Sequence, residues 1–424
     1  MQRVLLPIRT ITRNPDLVVL LACGLLLGLA YSFVTPFLSI FGTIEVGMRP
    51  MVFGFFMTAS SLSAIVVSTM LARWSDTHAS RRTILMLGTG SGVLAYVGFA
   101  FVRNVAGLTV IGTTVLAVSM ISFSQLFAHG RDVLARSTVP AAQTPLYMNM
   151  LRLSFALAWT VGPAIASWVM IAYSFRGLFL TAASVFFILM LVIARFVPKS
   201  GSEGGALTKR VRLRDTLRRA DLLAYFIGFI LIFIASSMSI MNLPLYVLKT
   251  LHGSKHDVGV IFSLAPIFEL PLMFYFGLLA SRRDQTGIIR VGALIALTYY
   301  VALTLVRAPW HIYPLQMLGA AATAVISGIA ITFFQNYLPG QAGSATNLYA
   351  TAQRIGSTIG FLSFGLLVTT VGHRGVFVVC ASLCATALSL LFFHSRKEAD
   401  AKNARAEDEE NARVSDSARA VIAS

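Results

Sequence analysis

Two short stretches of the chain share one pattern, and this repeat decides the fold class. Residues 146–152 read LYMNMLR and residues 348–354 read LYATAQR, so Leu-Tyr-x4-Arg recurs with an offset of 202 residues. Two further pairs recur in the same order with an offset of 208: residues 35–38 with 243–246, and residues 71–76 with 279–284. Three matches at a nearly constant offset indicate two related halves.

Long apolar runs carry these matches. The 424 residues are 56% hydrophobic and 12% charged, whereas soluble domains contain about 25% charged residues. A helix needs about 20 apolar residues to cross a bilayer. The sequence therefore predicts an all-α membrane protein with twelve transmembrane helices, near residues 17–41, 51–72, 83–102, 106–128, 145–172, 177–197, 221–248, 257–280, 288–307, 311–338, 344–371 and 376–394.

The spans divide the chain into four parts. We predict an N-terminal six-helix bundle at 1–197, a basic cytoplasmic linker at 198–220, a C-terminal six-helix bundle at 221–394 and a flexible cytoplasmic tail at 395–424. Two pseudo-symmetric bundles are the plan of the major facilitator fold, which places its substrate near the middle of the membrane between the halves.

The distribution of basic residues predicts the orientation. With the N-terminus inside, the cytoplasmic segments hold 25 of the 34 Lys and Arg and the outer loops hold seven. Cytoplasmic loops carry the excess of positive charge in membrane proteins, so both termini are expected in the cytoplasm. The net charge of +17 follows from these flanks, and we expect no nucleic-acid partner.

The loop after the second span resembles the cytoplasmic signature of the major facilitator superfamily. Asp76 is followed by Arg81 and Arg82, and a carboxylate here can pair with a basic residue or a helix N-terminus of the facing bundle. We predict a cytoplasmic gate from these three residues together with Arg131 and Asp132. The alternative interpretation is that these basic residues only mark the cytoplasmic ends of the spans, as in membrane proteins generally.

Three ionisable residues lie well inside predicted spans. Glu269 is midway along the eighth span, and Arg152 and Arg354 occupy matching positions of the repeat. A charged side chain in the bilayer costs at least about 2.5 kcal/mol, so these groups should face a wet cavity between the halves. Burial favours the neutral carboxyl and a neighbouring arginine favours the carboxylate. Glu269 is therefore our candidate for proton coupling, and a structural Glu–Arg pair is the alternative.

Amide side chains accompany the three charges. Amide and guanidinium groups suit a polyhydroxylated ligand, and Trp159 shares a helix face with Arg152 and could stack on a sugar ring. For any single amide, packing between helices is the competing interpretation. With Arg152 and Arg354, the predicted substrate-binding residues are Trp159, Gln125, Asn149, Asn242, Gln335, Asn336 and Gln353.

Motifs for other functions are missing from the sequence. The seven histidines lie in predicted loops or at span ends, and neither a phosphate-binding G-x4-G-K-[ST] loop nor a G-x-S-x-G elbow occurs. We predict no catalytic residue, no metal site and no cofactor.

Several longer motifs resemble the bacterial sugar efflux transporter (SET) family of the major facilitator superfamily. They are residues 49–58 (RPMVFGFFMT), 125–128 (QLFA) with Arg131-Asp132, 157–163 (LAWTVGP), 268–271 (FELP), 334–335 (FQ) and 338–346 (LPGQAGSAT). The resemblance implies proton-linked export of glucosides, galactosides such as lactose and related small sugars. One departure is Asn336, where the family often has Asp.

Two functions remain open on this basis. The first is export of small sugars by proton antiport from a bacterial inner membrane, by a monomer that alternates access to a central site. The second is proton-coupled efflux of drugs or other metabolites by the same fold.

Overall fold

The computed structural model describes residues 15–77, 80–137, 143–197, 220–280, 282–337 and 342–422, and within these ranges it is helical with no strand. Ten helices in this part of the chain are long and apolar enough to cross a membrane. In chain order they are α1 (Pro15–Glu45), α2 (Pro50–Thr77), α3 (Arg81–Phe101), α4 (Val105–Arg136), α5 (Thr144–Phe196), α6 (Ala220–Leu245), α7 (Lys255–Ala280), α8 (Gln285–Leu305), α9 (Ile312–Tyr337) and α10 (Ala342–Ile422).

Two of these helices are interrupted by a kink. The apolar part of α5 has 51 residues, and at about 1.5 Å per residue it would be more than twice as long as the roughly 30 Å hydrocarbon layer. Its backbone leaves the helical conformation at Tyr173 and Ser174, and α10 does so at Gly372. The kinks fall between the predicted spans 145–172 and 177–197, and between 344–371 and 376–394.

The two kinks share one backbone geometry. Ser174 has φ 56° and ψ −171°, and Gly372 has φ 69° and ψ 176°. An Arg-Gly pair follows two residues later in both places, at 176–177 and at 374–375. Glycine adopts positive φ without steric cost, whereas Ser174 requires its surroundings to hold it there. This match is a further repeat, which the sequence analysis missed.

The segment that ends α1 and the segment that directly follows α6 are also alike. The segments Phe41–Glu45 and Tyr246–Thr250 are both five-residue π-helices. Equivalent backbone bonds then close the turn: Val46 N–H to Phe41 O over 2.9 Å and Leu251 N–H to Tyr246 O over 3.0 Å. Positive φ follows in both turns, at Gly47 (75°) and His252 (53°). The duplication therefore extends to the detailed geometry of the turns.

Small residues allow equivalent helices of the repeat to pack closely. On α1, a Cβ at Gly28 would lie 2.8 Å from Ala158 Cβ of α5, and Ser32 Oγ donates to Ala158 O over 3.2 Å. On α10, a Cβ at Gly360 would lie 2.7 Å from Ile234 O of α6. Such close approach is the usual way in which apolar helices associate in a membrane.

Among the contacts that join residues 15–197 to residues 220–392, two helix pairs dominate, and the end of α1 also touches α6 and α7. Where α2 meets α10, a Cβ at Gly54 would lie 2.8 Å from Gly365 Cα. Where α5 meets α7, the Ala164 N–H donates to Ser263 Oγ over 3.1 Å, and the Lys255 Nζ lies 5.4 Å from the ring centre of Phe175. We call these two contacts the α2–α10 seam and the α5–α7 seam.

Two predicted parts of the chain are described little or not at all. The linker 198–220 lies outside the described residues except for Ala220, which begins α6. The backbone of the tail continues α10 as helix to Ile422. The flexibility of this tail stays a prediction.

Candidate functional site

A cavity of about 590 Å³ lies between α4 and α5 and the helices α6 to α10. This volume is in the range of small-molecule sites. Its α5 wall is a helical stripe of Arg152, Phe155, Ala156 and Trp159, whose spacing puts all four side chains on one face. The cavity therefore offers an aromatic wall that carries one guanidinium group.

Arg152 and Glu269 both line this cavity. The described residues give neither of them an ion pair or a hydrogen bond with another described residue. Pro266 and Pro271 flank Glu269 inside α7, and each proline removes one backbone bond of the helix. A carboxyl and a guanidinium group thus share a cavity without neutralising each other by direct contact.

Trp159 and Gln353 are the other predicted site residues that line the cavity. The Trp159 Nε1 is buried and has no hydrogen-bond partner among the described residues. A buried donor left without a partner costs about 1–3 kcal/mol, which a ligand that accepts this bond would recover.

Arg354, Gln125 and Asn149 do not line this cavity. Arg354 and Asn149 are exposed on α10 and α5, and Gln125 is buried in α4. The structure thus brings one arginine of the repeated pair to the cavity together with Glu269.

Three predicted amides make interhelical or local hydrogen bonds away from the cavity. Asn242 is completely buried; its Nδ2 donates to His373 O over 2.8 Å, and its Oδ1 lies 2.7 Å from His373 Nδ1. Gln335 Nε2 donates to Thr346 Oγ1 over 3.2 Å, and Asn336 Nδ2 donates to Gln285 Oε1 over 3.0 Å. These contacts correspond to the packing alternative that was open for each amide.

Sequence reasoning missed a group of hydroxyl and amide side chains in the cavity wall. Gln316 Nε2 donates to the Tyr299 hydroxyl over 3.2 Å. The Tyr300 hydroxyl interacts with Ser239, and that of Tyr349 interacts with Ser327. An amide in the apolar run 311–338, well before Gln335 and Asn336 at its end, was the available signal for Gln316, whereas tyrosines in an apolar span gave none.

The predicted gate residues make contacts within α3, α4 and α5. Arg81 Nε forms an ion pair with Asp132 Oδ2, and Arg82 donates to Ala194 O. Arg131 is exposed, and the side chain of Asp76 lies outside the described part of the structure. The described bonds fix α3 against α4 and the end of α5, and a gating role for these residues stays a prediction.

Comparisons with known proteins agree on one family and one fold. The sequence profile of the Major Facilitator Superfamily matches residues 20–361 and 315–423. A putative sugar efflux transporter of Deinococcus radiodurans is 32% identical over 379 residues, which cover 88% of this chain and 96% of that protein. Sugar efflux transporter A of Dickeya chrysanthemi is 31% identical over 386 residues, with 89% and 96% covered.

Solved structures show the same fold at low sequence identity. The nucleoside transporter NupG matches with a TM-score of 0.76 and 12% identity, over 90% of this chain and 99% of that one. A bacterial homologue of the human lysosomal transporter Spinster, in an inward-facing and unoccupied conformation, matches with a TM-score of 0.74 and 12% identity, over 91% and 97%.

Proposed function

Because the chain belongs to the sugar efflux transporter family of the major facilitator superfamily, we propose that this multi-pass membrane transporter exports small sugars and glycosides, such as lactose or glucose-like compounds, from the cytoplasm by proton antiport. The observation that most directly supports this proposal is that Arg152 and Glu269 line one cavity without an ion pair between them. A transporter of this family is not an enzyme, so the chemistry to be derived is binding, proton exchange and a change of access.

The ten helices provide twelve spans in this proposal, because α5 and α10 each cross the membrane twice, with their kinks at Ser174 and Gly372. The first six spans and the last six form two bundles, which is supported by the repeated kinks and π-helices. Both termini are cytoplasmic, in the inner membrane of a bacterium, and the transporter acts as a monomer.

Alternating access follows from the seams. With both termini inside, Gly54, Gly365, Ala164 and Ser263 lie toward the outer side, so the α2–α10 and α5–α7 seams close the cavity from the outside. Rocking of the bundles separates these seams and closes the cytoplasmic side. The Arg81–Asp132 pair keeps α3 and α4 together during this movement.

Coupling requires that the two states differ in their affinity for the proton and the sugar. A protonated Glu269 is neutral and tolerates the low dielectric of a closed cavity. The carboxylate is favoured when the cavity is wet and open to the cytoplasm, so the proton is released inside. Arg152 then holds sugar hydroxyls through its forked donors, and Trp159 contributes an apolar face and an indole N–H.

The aromatic wall of Phe123, Phe155 and Trp159 supports a second candidate, which is efflux of apolar drugs or other metabolites by the same cycle. Counterflow into proteoliposomes distinguishes the two functions. We expect vesicles loaded with unlabelled lactose to accumulate labelled lactose transiently, and vesicles loaded with a lipophilic dye to show no such exchange. An imposed pH gradient, acidic on the side opposite the sugar, should then drive export of a panel of labelled sugars. Dye exchange without sugar exchange would overturn the proposal in favour of the second candidate.

A further inference from the structure

The part of the cavity wall that α8 and α9 form carries a polar pair between these two helices. Tyr299 of α8 and Gln316 of α9 are 7% and 4% exposed, and Gln316 Nε2 donates to the Tyr299 hydroxyl over 3.2 Å. Both residues line the cavity. We call them the Tyr299–Gln316 pair.

The bond within the pair leaves one donor and one acceptor for another molecule. The Tyr299 hydroxyl accepts from the amide, so its own hydrogen stays available, and the amide retains Oε1 as an acceptor. Among the described residues, no hydrogen bond occupies Gln316 Oε1. Two neighbouring hydroxyls of a ligand match this arrangement, since one accepts from Tyr299 while the other donates to Gln316.

A glycine on α9 positions this pair. A Cβ at Gly319 would lie 3.1 Å from Cζ of Tyr299 and 3.2 Å from its Cε2. The missing side chain lets the tyrosine ring approach α9 closely, one turn from Gln316. Gly328, on the same helix, is different because a Cβ there would meet only Met273 Cε, at 3.7 Å.

We propose that the Tyr299–Gln316 pair is a specificity-determining subsite that binds two adjacent hydroxyl groups of the exported sugar, with Gly319 as its positioning residue. This inference rests on the proposed sugar transport and adds the residues that select the hydroxyl pattern. Because the pair is almost fully buried, a ligand hydroxyl loses its water there and must find its partners in the protein. A sugar that lacks the hydroxyl leaves the tyrosine and the amide unpaired, and for this reason polar sites reject such analogues strongly.

The test combines removal of a hydroxyl from the sugar with removal of its partner from the protein. Counterflow of monodeoxy analogues of a transported sugar is measured with the unchanged protein and with Tyr299→Phe, which keeps the ring and its packing on Gly319. For the unchanged protein we expect one or two deoxy positions to raise KM by roughly tenfold, the effect of one buried hydrogen bond. For Tyr299→Phe we expect the parent sugar to show a similar, roughly tenfold rise in KM. At one of the sensitive positions, the deoxy analogue and the parent sugar should then have the same KM in this variant.

Two outcomes would overturn the subsite. If the ratio of KM for each deoxy analogue to KM for the parent sugar is the same in Tyr299→Phe as in the unchanged protein, the tyrosine hydroxyl binds no sugar. The pair then serves packing alone. If the unchanged protein exchanges no sugar at all, the proposed function fails first, and the inference falls with it. The two failures are distinguishable because the first requires a working sugar transporter.

The glycine gives an independent measurement. Gly319→Ala should raise KM for the parent sugar and reduce the differences in KM between the parent sugar and its deoxy analogues. The reason is that the tyrosine ring must move by a few tenths of an ångström to make room for the methyl group. Gly328→Ala is the matched control and should leave both unchanged. Identical KM values and deoxy profiles for the two variants would contradict the positioning role.

Discussion

Arg152 lines the cavity, whereas Arg354, its counterpart in the repeated Leu-Tyr-x4-Arg pattern, does not. The duplicated halves therefore place equivalent residues in different surroundings. Arg152 belongs to the face of α5 that forms part of the cavity wall, whereas α10 lines the cavity with Tyr349 and Gln353 and not with Arg354. Symmetry of sequence does not make the site symmetric.

This asymmetry predicts unequal effects of the same substitution. Arg152→Gln should reduce sugar counterflow by roughly tenfold to a hundredfold, because a hydrogen bond from a charged donor contributes about 1.5–3 kcal/mol. Arg354→Gln is the matched variant and should have the smaller effect. Initial rates in proteoliposomes with equal amounts of folded protein measure both. Equal losses for the two variants would show that the cavity contact of Arg152 has no special role.

Glu269→Gln should separate proton coupling from sugar movement. The amide keeps the size of the side chain but binds no exchangeable proton at this site, so export driven by a pH gradient should fall to the uncoupled rate. Counterflow, which needs no net proton movement, should remain. Glu45→Gln, at the partly exposed pair in which Glu45 Oε1 lies 3.7 Å from Arg103 Nε, is the control and should preserve both activities. Undiminished pH-driven export by Glu269→Gln would refute the coupling role.

The predictable part of the site is the part that violates a simple rule. Charges are expensive in apolar spans, so the sequence assigned Arg152, Arg354 and Glu269 to an interior cavity, and Trp159 followed from its spacing to Arg152. Two of these three charges line the described cavity, and Arg354 lies outside it. Tyr299 breaks no such rule because tyrosine is common in membrane helices. Its role appears only once the fold places it next to Gln316.

Amides were the least predictable class. Asn242 and Gln353 look alike in the sequence, since each is a polar side chain in an apolar run. The structure gives Asn242 two contacts with His373 and places Gln353 in the cavity wall. The bond to His373 joins residues 131 positions apart, and a contact of that range depends on the packing of whole helices. The residues around Asn242 in the sequence therefore do not predict its contact with His373.

The fold was predictable because length and composition dominate it. The observed helices begin and end within a few residues of most predicted spans, and the kinks of α5 and α10 lie at the predicted gaps. The positive φ of Ser174 and His252 could not be predicted, because only a few per cent of non-glycine residues adopt it. Histidine is enriched among them, but that preference does not single out one of the seven histidines.

The α2–α10 seam should be intolerant of a single methyl group. A Cβ at Gly54 would lie 2.8 Å from Gly365 Cα and 2.9 Å from Phe361 O, so the two backbones must separate. Overpacking of this kind costs about 1–3 kcal/mol. Gly54→Ala should therefore lower the thermal stability and slow counterflow, while Gly277→Ala, where nothing lies within 4 Å of the added Cβ, should change neither. An unchanged melting temperature and rate for Gly54→Ala would mean that the seam is not closed in this way.

Asn242→Ala should weaken the fold and leave substrate affinity intact. The side chain is completely buried and bonds to the His373 backbone and ring, so its loss leaves a partly buried carbonyl and a ring nitrogen without these partners. We expect a reduction of about 1–3 kcal/mol in the free energy of unfolding, read from denaturant unfolding in detergent. Asn149→Ala removes an exposed amide and is the control for stability. KM for the transported sugar should stay constant in Asn242→Ala, because the contacts lie outside the cavity wall. A raised KM with unchanged stability would reverse this assignment and return Asn242 to the sugar site, where its sequence position first suggested it.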